Sequence, residues 1–413
     1  MRVVLSLLLA FACAPAAAAA QSDPTADYRG YVRVDPAART IAGDVAITFQ
    51  PDSSERDSVR LLLNSGYDDV EVSGPRVVSH SVDTAGALIV RFSPRLDAGQ
   101  TTVVRVRYAG TPVFGGDNIN GVGASWVELG LDSDWHPVFD DYRHRVTGVV
   151  AVDGLAGWTV VSSAEVAPTP TGAVLRFGVP LLDLPFAAAP SLLARESDDA
   201  IVYYAPGTSV EQADAVLATA TRCASWLNER YGEREPLPRA RLVLPARTGP
   251  GYARKHYIAL SSVEGLAPAQ LGHFICHELA HFWSSRASSM SADNWLNEGI
   301  AEYVAGRFVA SEFGAEAHAA LLARWAEAAG DPVAIWTPTA TARPGPRVSY
   351  RKAPHAMHLL EQRVGADTMD RILAAYMTQP IVSTPQLLAE IDRIAGAETG
   401  QWFRELLART RAG

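Results

Sequence analysis

The pentapeptide His277-Glu278-Leu279-Ala280-His281 constrains this chain more than any other feature of its sequence. Residues four apart on an α-helix share a face, so both imidazoles reach one ion. Glu278, one position after the first imidazole, is placed to act on metal-bound water rather than to ligate. Leu279, Ala280, Phe282 and Trp283 pack the remaining faces. A pentapeptide of this type also arises by chance, but here a third ligand follows: Glu298, within Asn294-Trp295-Leu296-Asn297-Glu298-Gly299-Ile300-Ala301-Glu302. The sixteen residues between His281 and Glu298 allow the first helix to end, a loop to form over 285–293 and a second helix to return, with Asp293 or Asn294 as its cap. Two histidines, one glutamate and an open fourth position make a catalytic zinc arrangement, whereas a structural site closes with a fourth protein ligand. One Zn²⁺ per chain is therefore expected on His277, His281 and Glu298. Cys276 lies about 100° around the helix and faces elsewhere. Glu302, one turn after Glu298, is a candidate to accept the second ring N–H of a bound imidazole; the alternative is a solvated or capping glutamate. His273 reads as a core or surface histidine, because the ligand set is already full.

The chain has 413 residues, enough for two domains. From about residue 28 to 193 its pattern is short and alternating. Strands are expected at 30–34, 44–49, 58–63, 87–92, 102–108, 147–152, 158–162 and 173–177, with a long Gly-rich loop over 117–134. After about 199 the period changes. Strands at 201–204, 241–244 and 257–260 accompany helices at 211–231, 267–285, 295–308, 315–329, 355–364, 367–376, 384–394 and 400–411. The expected fold class is α+β: an all-β, sandwich- or saddle-like domain at 21–197, then a mainly helical catalytic domain with a small β-sheet at 198–413.

Residues 1–20 read as a cleaved secretory signal, with Arg2, an apolar run from Val3 to Ala12, and Ala18-Ala19-Ala20 before the cut. No other stretch looks transmembrane, so stable membrane insertion is not expected after cleavage. The destination is the periplasm or the medium, and the Ala- and Arg-rich composition hints at a bacterium. Cys13 falls inside the signal without the preceding leucine of a lipoprotein site. Cys223 and Cys276 remain, either paired in an oxidising compartment or as two buried thiols. A net charge of -9 without a local basic block argues against a nucleic-acid partner.

These residues carry a family resemblance. HELAHFW at 277–283, WLNEGIAEY at 295–303 and SYRKAPHAMHLL at 349–360 resemble the M1 family of zinc aminopeptidases, of the gluzincin class. Residues 28–49 and 135–152 are similar to pieces of the β domain that precedes catalysis in that family. The resemblance implies a thermolysin-like catalytic domain, in a short form without the large C-terminal helical domain. It implies zinc on His277, His281 and Glu298, with Glu278 as general base. It also implies that Tyr350 donates a hydrogen bond to the oxyanion, a role composition would not have assigned to it. A peptide substrate cut by zinc-activated water follows.

Three departures stand out. The family's GxMEN segment, whose Glu grips the substrate's N-terminal ammonium, corresponds to residues 251–260, which contain no acid and instead carry Arg254, Lys255 and His256. Those charges would repel an amine. Glu264 substitutes only if its loop folds back. The gap between His281 and Glu298 is two residues shorter than the family's, which a shortened loop absorbs. Tyr350 is followed by Arg-Lys-Ala rather than acid-Lys-Gly. An aminopeptidase is the family default. The alternatives are a zinc peptidase that cuts internally or accepts N-blocked peptides, and a non-catalytic peptide-binding module.

Overall fold

The computed structural model describes residues 24–51, 56–84, 86–116, 120–245, 247 and 249–410. The expected leader at 1–20, with Cys13, lies outside them. The first half is β-structure. A seven-stranded sheet runs Glu165–Thr169, Gly172–Leu181, Arg145–Asp153, Thr25–Asp35, Thr40–Phe49, Thr102–Gly110, Tyr67–Ser73 in spatial order. Its one parallel pairing joins Thr25–Asp35 to Arg145–Asp153. The reason for a sheet is visible along Thr40–Phe49, where every second residue from Ile41 to Phe49 is buried, the period-2 pattern of a half-buried strand. Two four-stranded sheets complete this half, one built around Arg56–Leu62 and Leu88–Leu96, the other around Trp126–Leu129 and Phe186–Ala189. Ile47, Val106, Leu61, Val90, Leu129 and Phe186 from all three sheets share one core.

The second half opens with a five-stranded sheet in the order Leu193–Glu196, Ala200–Tyr204, Ala240–Leu244, Tyr257–Ala259, Tyr252–Arg254. Helix α1 (Val210–Tyr231) starts at Ser209, whose side chain accepts the Gln212 N–H, and buries Ala213, Val216, Ala220, Cys223 and Leu227 at helical spacing. Helix α2 (Pro268–Ser284) has proline in its first turn and is buried on most faces. Helix α3 (Trp295–Ala326) is broken at Gly314, whose φ of 84° lies in the left-handed region open to glycine; that break separates the two helices expected over 295–329. A π-helical turn, Val348–Lys352, leads into α4 (Ala353–Val364), followed by α5 (Ala366–Thr378), α6 (Thr384–Ala395) and α7 (Ala397–Ala408). Ile258, Ile275, Leu279, Trp295, Ile300 and Phe308 belong to one core that packs these helices on the sheet. Among the described residues, no helix is long and apolar enough to cross a membrane.

The expected loop over 117–134 instead contains the strands Gly121–Gly123 and Trp126–Leu129. Its few apolar residues, Val127 and Leu129 among them, find a partner strand in Phe186–Ala189. The α4 helix likewise begins two residues earlier than its apolar period suggests, because the π turn leads directly into it.

Three arginines of the second half clasp the first. Arg241 Nη1 donates to the carbonyls of Ser162 (2.9 Å) and Ala164 (2.6 Å). Arg247 holds the buried Glu128 through two bonds, 2.8 and 2.5 Å long. Arg254 pairs with Asp183, which is fully buried.

Candidate active site

Helix α2 places His277 and His281 on one face, with ring centroids 4.8 Å apart and planes at 88°. Cys276 points the other way and forms a disulfide with Cys223, tying α2 to α1; of the two states the sequence left open, the cysteines are paired. The loop after α2 is pinned so that α3 returns beside it. Arg286 donates to the carbonyls of Tyr376, Met377 and Gln379 at the end of α5. The Asn297 side chain exchanges two 3.0 Å bonds with the Ala287 backbone. Trp295 Nε1 donates to Thr384 Oγ1 at 2.9 Å.

These anchors bring Glu298 Oε2 to 3.6 Å from His277 Nε2 and 3.4 Å from His281 Nε2. Ligand lengths of about 2.0–2.2 Å at a tetrahedral zinc ion separate neighbouring ligand atoms by about 3.3–3.6 Å. The donor set thus fits zinc in number and chemistry, and both Glu298–imidazole distances match that spacing. Among the described residues, His277, His281 and Glu298 form the cluster able to hold a metal, one ligand atom from each lying within 4.8 Å of the others.

Around the triad the charges are strongly coupled. Burial disfavours a charged His277, yet the Glu298 and Glu302 carboxylates overcome that and raise its pKa to about 10. Glu302 Oε2 lies 3.1 Å from His277 Nδ1, the nitrogen that faces away from Glu298. Its other oxygen is 3.4 Å from His273 Nε2 and accepts from Trp325 Nε1 at 3.3 Å. Burial would raise the Glu302 pKa, but His273 and His277 outweigh it and hold it at about 2. His273 is therefore a partner of Glu302 and not a member of the ligand cluster. Glu278 is buried beside the triad, and burial pushes its pKa up despite the opposing imidazoles. The Tyr350 ring stands 5.7 Å from that of His277. Burial first, then the Glu298 charge, raise its pKa, so the phenol keeps its proton.

The expected ligands His277, His281 and Glu298 and the expected catalytic pair Glu278 and Tyr350 all line one cleft of about 740 Å³. The hairpin Tyr252–Arg254/Tyr257–Ala259 forms one wall, with Tyr252–Arg254 as the sheet's edge strand. Its three basic residues do not behave alike. His256 is held neutral, its pKa lowered to about 4 by burial and then by Arg241 and Lys255. Lys255 Nζ lies 3.4 Å from Glu235 and from the Phe282 carbonyl. Arg254 lines the cleft, held by Asp183, a residue that sequence reasoning missed because it lies 71 positions away. Glu264 lines a separate cavity of about 870 Å³ together with Glu128 and Arg247, and does not enter the cleft.

No family model matches the chain. A 120-residue stretch, 26% of this chain, is 30% identical to the puromycin-sensitive aminopeptidase of Caenorhabditis elegans but spans only 13% of that protein. Solved structures align far more completely. The M1 zinc metallopeptidase from Deinococcus radiodurans superposes with a TM-score of 0.75 at 21% identity, covering 94% of this chain and 95% of that one. A mutant of it bound to a Tyr-Ser-Ala substrate gives 0.69 at 20% identity, with 94% of each chain covered. Native yeast LTA4 hydrolase gives 0.72 at 15% identity, over 93% of this chain and 66% of the other. From first sheet to last helix, this chain has the fold of the M1 zinc metallopeptidases, with His277, His281 and Glu298 as its metal triad.

Proposed function

We propose that the chain is an exported zinc metallopeptidase that removes residues from the N-termini of peptides. The observation that carries the reading is the zinc-shaped triad with Glu278 buried beside it, opening on a cleft edged by a free β-strand. The Deinococcus relative described with a bound tripeptide substrate and the worm relative named as an aminopeptidase support the substrate class. Export rests on the leader-like residues 1–20 and on the Cys223–Cys276 disulfide, a bond that persists in oxidising compartments. In this reading residues 21–197 are the β domain and 198–413 the peptidase domain, with the cleft at their seam.

Zinc, when bound, supplies a Lewis acid that polarises the scissile carbonyl and brings the pKa of water towards neutrality. His277, His281 and Glu298 hold it, and Glu302 fixes the tautomer of His277 through Nδ1. Glu278 takes the proton of the attacking water and hands it to the leaving amine; its raised pKa suits both transfers. The Tyr350 hydroxyl, protonated throughout, donates to the developing oxyanion. The edge strand Tyr252–Arg254 binds the peptide backbone by strand addition.

A second reading is favoured by one observation: among the described residues, the acids lining the cleft are Glu278, Glu298 and Glu302, all at the triad. Without a further carboxylate for a free amine, the same chemistry would act on N-blocked or internal bonds. Mass-spectrometric analysis of free and N-acetylated peptides, with zinc-loaded protein and its Glu278→Gln control, separates the two. Stepwise N-terminal loss from free peptides alone supports the aminopeptidase. Equal cutting of the acetylated set supports the second reading, and cutting by neither set refutes both.

A further inference from the structure

The charge of the cleft points to a selectivity of its own. Besides the three glutamates at the triad, the charged side chains that line it among the described residues are Arg145, Arg254, Lys255 and Arg286, all cationic, in a chain of net charge -9. Three of the four are engaged elsewhere: Arg286 is spent on three backbone carbonyls, Lys255 turns to Glu235 and Phe282, and Arg145 has an interaction of its own. Arg254 is different. Its side chain is 16% exposed, with Asp183 wholly buried behind it. Nε donates to Asp183 and Nη1 to the Ala253 carbonyl at 2.9 Å, while Nη2 has no acceptor among the described residues. Nη2 is thus the edge of the guanidinium fork left open to pair with a ligand. The residue sits on the strand whose outer edge is open, so a peptide laid along that edge passes beside it.

We propose that Arg254, positioned by Asp183, binds a carboxylate carried by the peptide substrate, so that the cleft selects acidic peptides or those with a nearby free C-terminus. The proposal rests on the peptidase reading for its substrate and adds a specificity to it. Arginine suits the task because its planar fork pairs with carboxylates in fixed geometry. Asp183 is a positioning residue: it neutralises the buried face of the guanidinium and fixes its orientation, leaving the exposed edge for substrate.

The test measures binding by calorimetry on full-length, zinc-loaded Glu278→Gln protein, which removes turnover from the comparison. Four peptides are used: Asp-Ala-Ala-amide against Asn-Ala-Ala-amide for a side-chain carboxylate, and Ala-Ala-Ala acid against its amide for a C-terminal one. At least one carboxylate peptide is expected to bind about tenfold more tightly than its neutral match, the scale of a charge-assisted hydrogen bond. Arg254→Gln should abolish that ratio. Because that change leaves Asp183 unpaired, Asp183→Asn/Arg254→Gln serves as the folded control with the same expectation. Equal binding within both pairs overturns the proposal, as does a ratio that survives in the double variant. If the ratio appears but the wild-type protein cuts none of the four peptides or their N-acetylated forms, the peptidase reading fails and the carboxylate site stands.

Discussion

Gly299 follows the third zinc ligand and touches the segment that carries Tyr350, which makes it a means of separating metal binding from catalysis. A Cβ on Gly299 would meet the Ala353 Cβ at 2.6 Å and the Ser349 carbonyl oxygen at 3.4 Å. Carbon atoms pack at about 3.5–4.0 Å, so Gly299→Ala must push the π turn and α4 from α3 by about 1 Å. Overpacking of this kind costs about 1–3 kcal/mol, while alanine returns about 1 kcal/mol of helix propensity. Net stability therefore falls by about 0–2 kcal/mol, a melting shift of only a few degrees for a chain this long. The chemistry should suffer more, since a misplacement of about 1 Å in a catalytic group costs on the order of 10²-fold in rate. The assay is kcat on a fluorogenic peptide, alongside zinc content by mass spectrometry and the melting temperature. Gly299→Ala should retain one zinc and lose about 10²-fold in kcat, close to the loss in Tyr350→Phe. Removing the opposing methyl should rescue it: Gly299→Ala/Ala353→Gly is expected to recover most of the lost kcat. The reasoning is refuted if the single variant keeps kcat within threefold, or if the double variant is no better than the single one.

Two further outcomes follow from the same geometry. The Cys223–Cys276 bond spans 53 positions, and closing a loop of that length in the unfolded chain is worth about 4 kcal/mol. Replacing both cysteines with alanine should lower the melting temperature by about 5–10 °C, and oxidised wild-type protein should show no free thiol at either position; a melting temperature unchanged within a degree contradicts this. Glu302→Gln keeps the shape of the residue beside His277 Nδ1 but removes its charge. Chelator competition should then show zinc held about 10–100-fold more weakly, and an unchanged zinc affinity would assign Glu302 a packing role alone.

The metal centre was legible in the sequence because every part of it is local. The four-residue spacing of His277 and His281 fixes their shared face, and sixteen residues suffice to bring Glu298 back on the next helix. Glu302 was legible for the same reason, one helical turn beyond a ligand, and it lies at His277 as the spacing implies. What stayed hidden depends on distant partners. Phe186–Ala189 is too short and alanine-rich to declare itself a strand, and it becomes one by pairing with Thr159–Ser162 and Trp126–Leu129. The disulfide depends on how α1 packs against α2, which no periodicity reports. Arg254, Lys255 and His256 read as three equivalent charges in a row, and the fold divides them among Asp183, Glu235 and a half-buried neutral state.

That division explains why the cleft needs both halves of the chain. Glu128 and Asp183 are almost wholly buried acids supplied by the β half, and their counter-ions Arg247 and Arg254 come from the second half. Breaking a buried pair by removing one partner costs about 3–5 kcal/mol, so separating the halves would strand two charges on each side of the seam. The apolar contact of Val161 and Ala187 with Val243, Tyr257 and Ala259 runs along the same line. The hairpin that walls the cleft is thus held by the β half, while the helices behind it hold the triad. The distance between the edge strand Tyr252–Arg254 and the triad is therefore a property of the seam, set by ion pairs that form only when the two halves meet.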